Sequence, residues 1–153
     1  MHFRDGDIKD AAVLADVFFR SIREGSSPYT EAQRAAWLPA RLSQAQFARR
    51  IGGMYVVVAE DRRRVVGFMG MMPDGCIDLA FILPEARGRG AFRHLYELIE
   101  FEAQAQALPV LRTHASLMAQ PAFRAVGFSV IQQETVERGG QHLRRALMEK
   151  KLA

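Results

Sequence analysis

The stretch Ile82-Leu83-Pro84-Glu85-Ala86-Arg87-Gly88-Arg89-Gly90-Ala91-Phe92 constrains this chain more than any other segment. An apolar run enters a turn that is broken by glycines and charged by two arginines. Past the turn, Phe92, Leu95, Ile99 and Ala103 fall at helical spacing and predict a buried stripe. Strand, glycine turn and helix start together make an anion cradle, because free backbone N–H groups and the positive end of the helix dipole converge on one point. Only small residues let a phosphate come that close, and Arg87 and Arg89 add fixed positive charge. The segment reads as the site of a phosphate-bearing cofactor. Neither the triphosphate loop G-x-x-x-x-G-K-S/T nor the three-glycine dinucleotide fingerprint occurs in it.

The remaining elements follow from periodicity and punctuation. Ile8, Ala11, Ala12, Ala15, Phe18, Phe19 and Ile22 share one helical face, with Asp7 as N-cap and Gly25-Ser26-Ser27-Pro28 as the break. A second helix is expected from Thr30, its cap, to Trp37, and a third over about Ser43 to Ile51. Met54 to Ala59 and Val65 to Met72 are β-rich, joined as a hairpin by the polar run Glu60 to Arg64. Pro73-Asp74-Gly75 turns the chain into a strand over Cys76 to Leu83. A strand near Val110 to His114 leads to a helix from about Leu117 to Val126, capped by Ser116 and stopped by Gly127. Two last strands, Phe128 to Val136 and Gln141 to Lys150, join through Gly139-Gly140.

This segment resembles the acetyl-CoA loop of the GNAT superfamily of N-acetyltransferases, an apolar strand ending near a proline, then Q/R-x-x-G-x-G/A opening a helix. Here it reads Ile82-Leu83-Pro84, then Arg87-Gly88-Arg89-Gly90-Ala91-Phe92, with Phe92 where a glycine or alanine is usual. Y-T-E-A-Q-R-A-A-W (Tyr29 to Trp37), L-R-T-H-A-S (Leu111 to Ser116), P-A-F-R-A-V-G-F (Pro121 to Phe128) and L-M-E-K (Leu147 to Lys150) resemble small bacterial members in the same order. The resemblance implies one N-acetyltransferase domain over residues 1–153. It also implies a mixed α/β fold, with a mostly antiparallel six- to seven-stranded sheet, helices on both faces and a V-shaped cofactor cleft. Ile82, Leu83, Arg87, Gly88, Arg89, Gly90, Ala91, Phe92, Arg93 and Phe123 would then contact acetyl-CoA. Tyr29 and Trp37 would lie toward the acceptor.

Along Cys76 to Leu83 the odd positions Ile77, Leu79, Phe81 and Leu83 are large and apolar, and so face a core. The even face, Cys76, Asp78, Ala80 and Ile82, is smaller and carries a carboxylate, which suits a cleft wall. An amine with a pKa of about 10.4 is almost wholly protonated at pH 7 and must lose a proton before it attacks. The family places a base near Asp78, whose other reading is a hydrogen-bonded structural carboxylate. The tyrosine that protonates the leaving thiolate in many members is replaced by Phe123. The thiolate then leaves unassisted, as its pKa of about 8.5 allows, or Ser116, Cys76 or Tyr29 serves as donor. Two function classes stay open. One is transfer of acetyl to a primary amine of a small molecule or peptide by direct attack in a ternary complex. The other is a module of the same fold that binds acyl-CoA or a protein partner without turnover.

Composition narrows the setting. At 153 residues the chain can bury roughly 70% of its unfolded surface in one core. No apolar run nears the ~20 residues of a membrane span, and no signal-peptide pattern opens the chain. Cys76 is the sole cysteine, so no internal disulfide forms, and a cytoplasmic location is expected. His2, His94, His114 and His142 show no metal-ligand spacing, so no metal is expected. A net charge of +4 suits an anionic cofactor. Arg62-Arg63-Arg64 reads as a solvated hairpin tip, and the lack of interleaved aromatics counts against nucleic acid. Homodimers are common in the family, but no surface in the sequence marks one.

Overall fold

Seven strands divide into two sheets that touch at a single bridge, among the residues 1–152 that the computed structural model describes. The first sheet has the order β1-β2-β3-β4, with β1 His2–Asp5, β2 Tyr55–Asp61, β3 Arg64–Met71 and β4 Ile77–Ile82. The second has the order β5-β7-β6, with β5 Val110–Ser116, β6 Ser129–Arg138 and β7 Gln141–Lys151. Every neighbouring pair is antiparallel. The helices are α1 Ala11–Arg23, α2 Glu31–Trp37, α3 Gln44–Ile51, α4 Ala91–Ala105 and α5 Gln120–Ala125. Two 3₁₀ turns, Ile8–Asp10 and Pro84–Ala86, lead into the regions of α1 and α4.

Local chemistry sets the helix starts. Asp7 with Asp10, Thr30 with Gln33 and Ser43 with Gln46 each form a reciprocal capping box, which satisfies two orphan N–H groups apiece. Val56–Ala59 and Val66–Met71 are buried without alternation, so both faces of this sheet are covered. Helix α1 packs on β3 and β4, and α4 packs on β2 and β3.

Strands β4 and β5 part after one contact. Cys76 bridges Arg112 in parallel, the Arg112 N–H donates to the Gly75 carbonyl at 3.1 Å, and Thr113 Oγ1 donates to the Ile77 carbonyl at 2.8 Å. A side chain at Gly75 (φ +93°) would sit 2.8 Å from the Val110 carbonyl, so only glycine closes this vertex. Beyond it β4 pairs with β3 alone, leaving an open edge along a V-shaped cleft, as the family resemblance implies and the two-sided composition of the strand supports.

Several boundaries differ from the sequence expectation. Strand β1 was not expected, since four residues are too short for a period to show. The predicted loop Glu60 to Arg64 is a two-residue turn, because Asp61 and Arg64 already pair. Ile8 is 61% exposed and Ala12 is also exposed, because the 3₁₀ turn shifts the phase before α1 begins. In α4 the buried positions are Ala91, Leu95, Tyr96, Ile99 and Ala103, and Phe92 is half-buried, edge-on to Phe123 of α5. Helix α5 begins at Gln120 instead of Leu117, after a turn in which Ser116 Oγ accepts the Ala119 N–H.

The β2–β3 turn places Arg62 at φ 51° and Arg63 at φ 67°, as a primed hairpin requires, at a cost that glycine avoids. Arg63→Gly is therefore expected to raise stability by about 0.5–1 kcal/mol despite its unfolded-state entropy. Denaturant midpoints for the two proteins check it.

Candidate active site

The turn after β4 builds a cradle from backbone alone. Gly88 (φ +74°) and Gly90 (φ +83°) are left-handed, and a Cβ on either would enter space with no heavy atom within 4 Å. Gly90 is the N-cap of α4 and brings no side chain to its first turn. The leading N–H groups of a 15-residue helix thus face an open hollow. This is the geometry a pyrophosphate fits.

The arginines of the turn are engaged elsewhere. The Arg87 guanidinium turns inward and donates to the carbonyls of Ser21 at 2.8 Å, Ile82 at 3.2 Å and Ser26 at 3.4 Å. It ties the end of α1 to the end of β4, and burial, with the Arg34 charge nearby, pushes its pKa down. Arg89 pairs with Asp61 at 2.9 Å, and Arg93 donates to the Ala125 carbonyl at 3.0 Å, linking α4 to the end of α5. The guanidinium groups of Arg87 and Arg89 are thus held by protein partners, and the helix-start N–H groups are the donors left open to the hollow.

A cleft of about 360 Å³ runs from this cradle along the open edge of β4. Of the expected cofactor residues, Ile82, Arg87, Gly88, Gly90, Ala91, Phe92 and Arg93 line it. Leu83 does not, being buried with its N–H donated to the Val66 carbonyl at 2.8 Å, and neither does Arg89. Phe123 is buried between Phe92 and Phe128, each ring 5.0 Å away edge-on. It reaches a second cavity of about 190 Å³ instead. The two departures from the family pattern, Phe92 and Phe123, are thus one packed pair.

The second cavity adjoins the first at Tyr29, Trp37, Ala80, Phe81, Ser116 and Ala119. Asp78 stands in it at a β-bulge. Gly70 pairs with Leu79 and Met71 with Ile77, so Asp78 has no cross-strand partner, and it stands exposed between buried Ile77 and Leu79. It lines this cavity together with Ala80, its neighbour on the even face, while Ile77 and Phe81 of the odd face reach the cavity as well. Its side chain is 41% exposed, and its one partner is Arg50 at 3.4 Å.

The three donor candidates separate. The Tyr29 hydroxyl donates to the Arg144 carbonyl and accepts the Leu117 N–H at 3.0 Å, so its proton is committed. Burial keeps that phenol protonated above its usual range. Cys76 lines neither cavity, and burial, helped by Asp78 and Asp74, pushes its thiol up. Ser116 only accepts, from Ala119, and keeps its own proton at the junction of the cavities. The ring of Tyr29 packs edge-on against Trp37 at 5.8 Å, and Trp37 lies 6.2 Å from Phe81.

Sequence reasoning missed the far wall of this second cavity. His114 Nδ1 lies 2.8 Å from Glu134 Oε1, and Arg145 Nε donates to the same oxygen at 3.1 Å. The His114 hydrogen bond, then the nearby charges, hold Glu134 below the usual carboxylate range. Arg138 and Arg50 complete the wall. A signal existed for part of it: a two-residue turn at Gly139-Gly140 sets Glu134 opposite Arg145.

An open cofactor cradle, a free strand edge and an adjoining polar cavity define an acyl-CoA-dependent transferase. The family model for the acetyltransferase (GNAT) domain matches residues 26–152, and the chain belongs to that family. A GCN5-related N-acetyltransferase from Rhodopseudomonas palustris is 31% identical with a TM-score of 0.90, over 99% of this chain and 95% of that one. The protein yncA of Salmonella typhimurium, solved with its cofactor acetyl-CoA, is 18% identical at TM-score 0.74, over 100% and 94%. A phosphinothricin acetyltransferase from Sinorhizobium meliloti in complex with acetyl-CoA is 22% identical at TM-score 0.77, over 99% and 88%. No curated protein matches the chain significantly.

Proposed function

We propose that this chain is a single-domain N-acetyltransferase that moves acetyl from acetyl-CoA to a primary amine of a small molecule or peptide, by direct attack in a ternary complex. The observation that carries the reading is the meeting of the two cavities at Ala80, Phe81 and Ser116. One ends in a phosphate-sized cradle and the other holds a carboxylate. Acetyl-CoA, when bound, supplies an activated thioester and a thiol leaving group.

The chain's own residues do the rest. N–H groups at the start of α4, behind Gly88 and Gly90, hold the pyrophosphate. The open edge of β4 orients the extended arm of the cofactor as an added strand would. Asp78 takes the proton of the incoming ammonium onto a carboxylate oxygen, directly or through one water. Ser116 keeps an O–H at the junction for the departing sulfur. The setting that suits this chemistry is the cytoplasm; no described helix is long and apolar enough to cross a membrane.

Calorimetry with acetyl-CoA, run beside a screen of primary amines for CoA release, tests the reading. Saturable binding and amine-dependent thiol release are expected. Binding without release for every amine would leave the fold as an acyl-CoA-binding module.

A further inference from the structure

An amine acceptor arrives as a cation, yet the second cavity is itself cationic. Arg50 from α3, Arg138 from β6 and Arg145 from β7 line it, against the single carboxylate of Asp78. Glu134 behind the wall is held by His114 and Arg145 together. Arg138 has no carboxylate partner among the described residues. Arg145 bonds Glu134 through Nε, which leaves its terminal nitrogens without a protein acceptor. A bare ammonium would be repelled here, and two guanidinium groups would stay unmatched.

We propose that the acceptor carries an acid group beside its amine, as a small amino acid does. This rests on the proposed amine acetylation. The ammonium lies toward Asp78, and the carboxylate lies between Arg138 and Arg145, where planar forks match its two oxygens. The cavity, about 190 Å³, is smaller than the roughly 300 Å³ at which drug-sized sites begin, so the molecule is small. Trp37 and Phe81 give one wall an aromatic surface, which favours an apolar side chain.

The test compares CoA release for apolar amino acids with release for their methyl esters, which keep the amine and lose the acid. The acid is expected to exceed its ester in kcat/KM by about 10- to 100-fold, the worth of one charge-assisted hydrogen-bond set. Arg138→Glu lies at an exposed strand end, so the fold should persist by circular dichroism, and the acid-to-ester ratio should fall toward one. Equal use of acid and ester by the wild type overturns the inference. So does an unchanged ratio in both Arg138→Glu and Arg145→Gln. If no amine releases CoA, the acetylation reading falls instead, and calorimetry on the CoA-loaded protein decides acid recognition. Tighter binding of acids than esters supports it, and equal or absent binding ends it.

Discussion

Replacing Asp78 with asparagine is expected to lower kcat/KM near pH 7 by about 10²–10⁴-fold, the usual contribution of a positioned base. Stability should barely move. The side chain is 41% exposed and its ion pair with Arg50 is long, at 3.4 Å, a kind of contact that contributes about 0–1 kcal/mol. A structural carboxylate would need more partners than that. Asparagine keeps the size and removes the basicity, so the loss should shrink as pH rises and the amine becomes neutral without help. A pH–rate profile of both proteins with one acceptor decides the matter. Overlapping profiles would remove Asp78 from the chemistry. Turnover that survives Asp78→Asn and is lost in His114→Gln would move the role to the imidazole, which lines the same cavity.

The cradle and most elements were legible because their signals are local. Glycines at the turn, the N-cap at Thr30, and β-rich runs each need only a few adjacent residues. The cleft was legible too, since β4 carries unlike residues on its two faces. The same alternation turns Asp78 toward the cavity; the bulge against Gly70 and Met71, which leaves it without a cross-strand partner, is what no spacing within β4 reveals. His114 met Glu134 only through the order β5-β7-β6, which brings residues 20 apart onto one face. The inward turn of Arg87 was equally hidden. Its three carbonyl partners come from α1, the loop after it and β4, and nothing in R-G-R-G distinguishes a strut from a phosphate ligand.

The Phe92–Phe123 pair bears on whether the chain turns over. A phenyl ring at 123 gives no proton to a leaving thiolate, which by itself favours a binding module. The structure gives that ring another reason to be there: it closes an aromatic cluster with Phe92 and Phe128 between α4 and α5. The missing hydroxyl is therefore compatible with a packing change. Ser116, whose O–H is uncommitted, lines the same cavity as Phe123.

Gly90→Val is expected to weaken acetyl-CoA binding by about 100-fold or more while the core stays folded. Two effects act together. A β-branched residue is strained at φ +83°, at roughly 1–2 kcal/mol, and relief of that strain would turn the leading N–H groups of α4 away from the phosphates. The new side chain would also fill the hollow, which holds no heavy atom within 4 Å of the added Cβ. Losing one or two charge-assisted hydrogen bonds at about 1.5–3 kcal/mol each accounts for the size of the effect. Strain alone is separable from occlusion, because Gly53 has nearly the same φ, +84°, and equally open space beyond α3, away from both cavities. Gly53→Val should lose similar stability and bind acetyl-CoA as the wild type does. Calorimetric affinity that is unchanged in Gly90→Val, with the melting transition intact, would show that the cofactor's phosphates lie elsewhere.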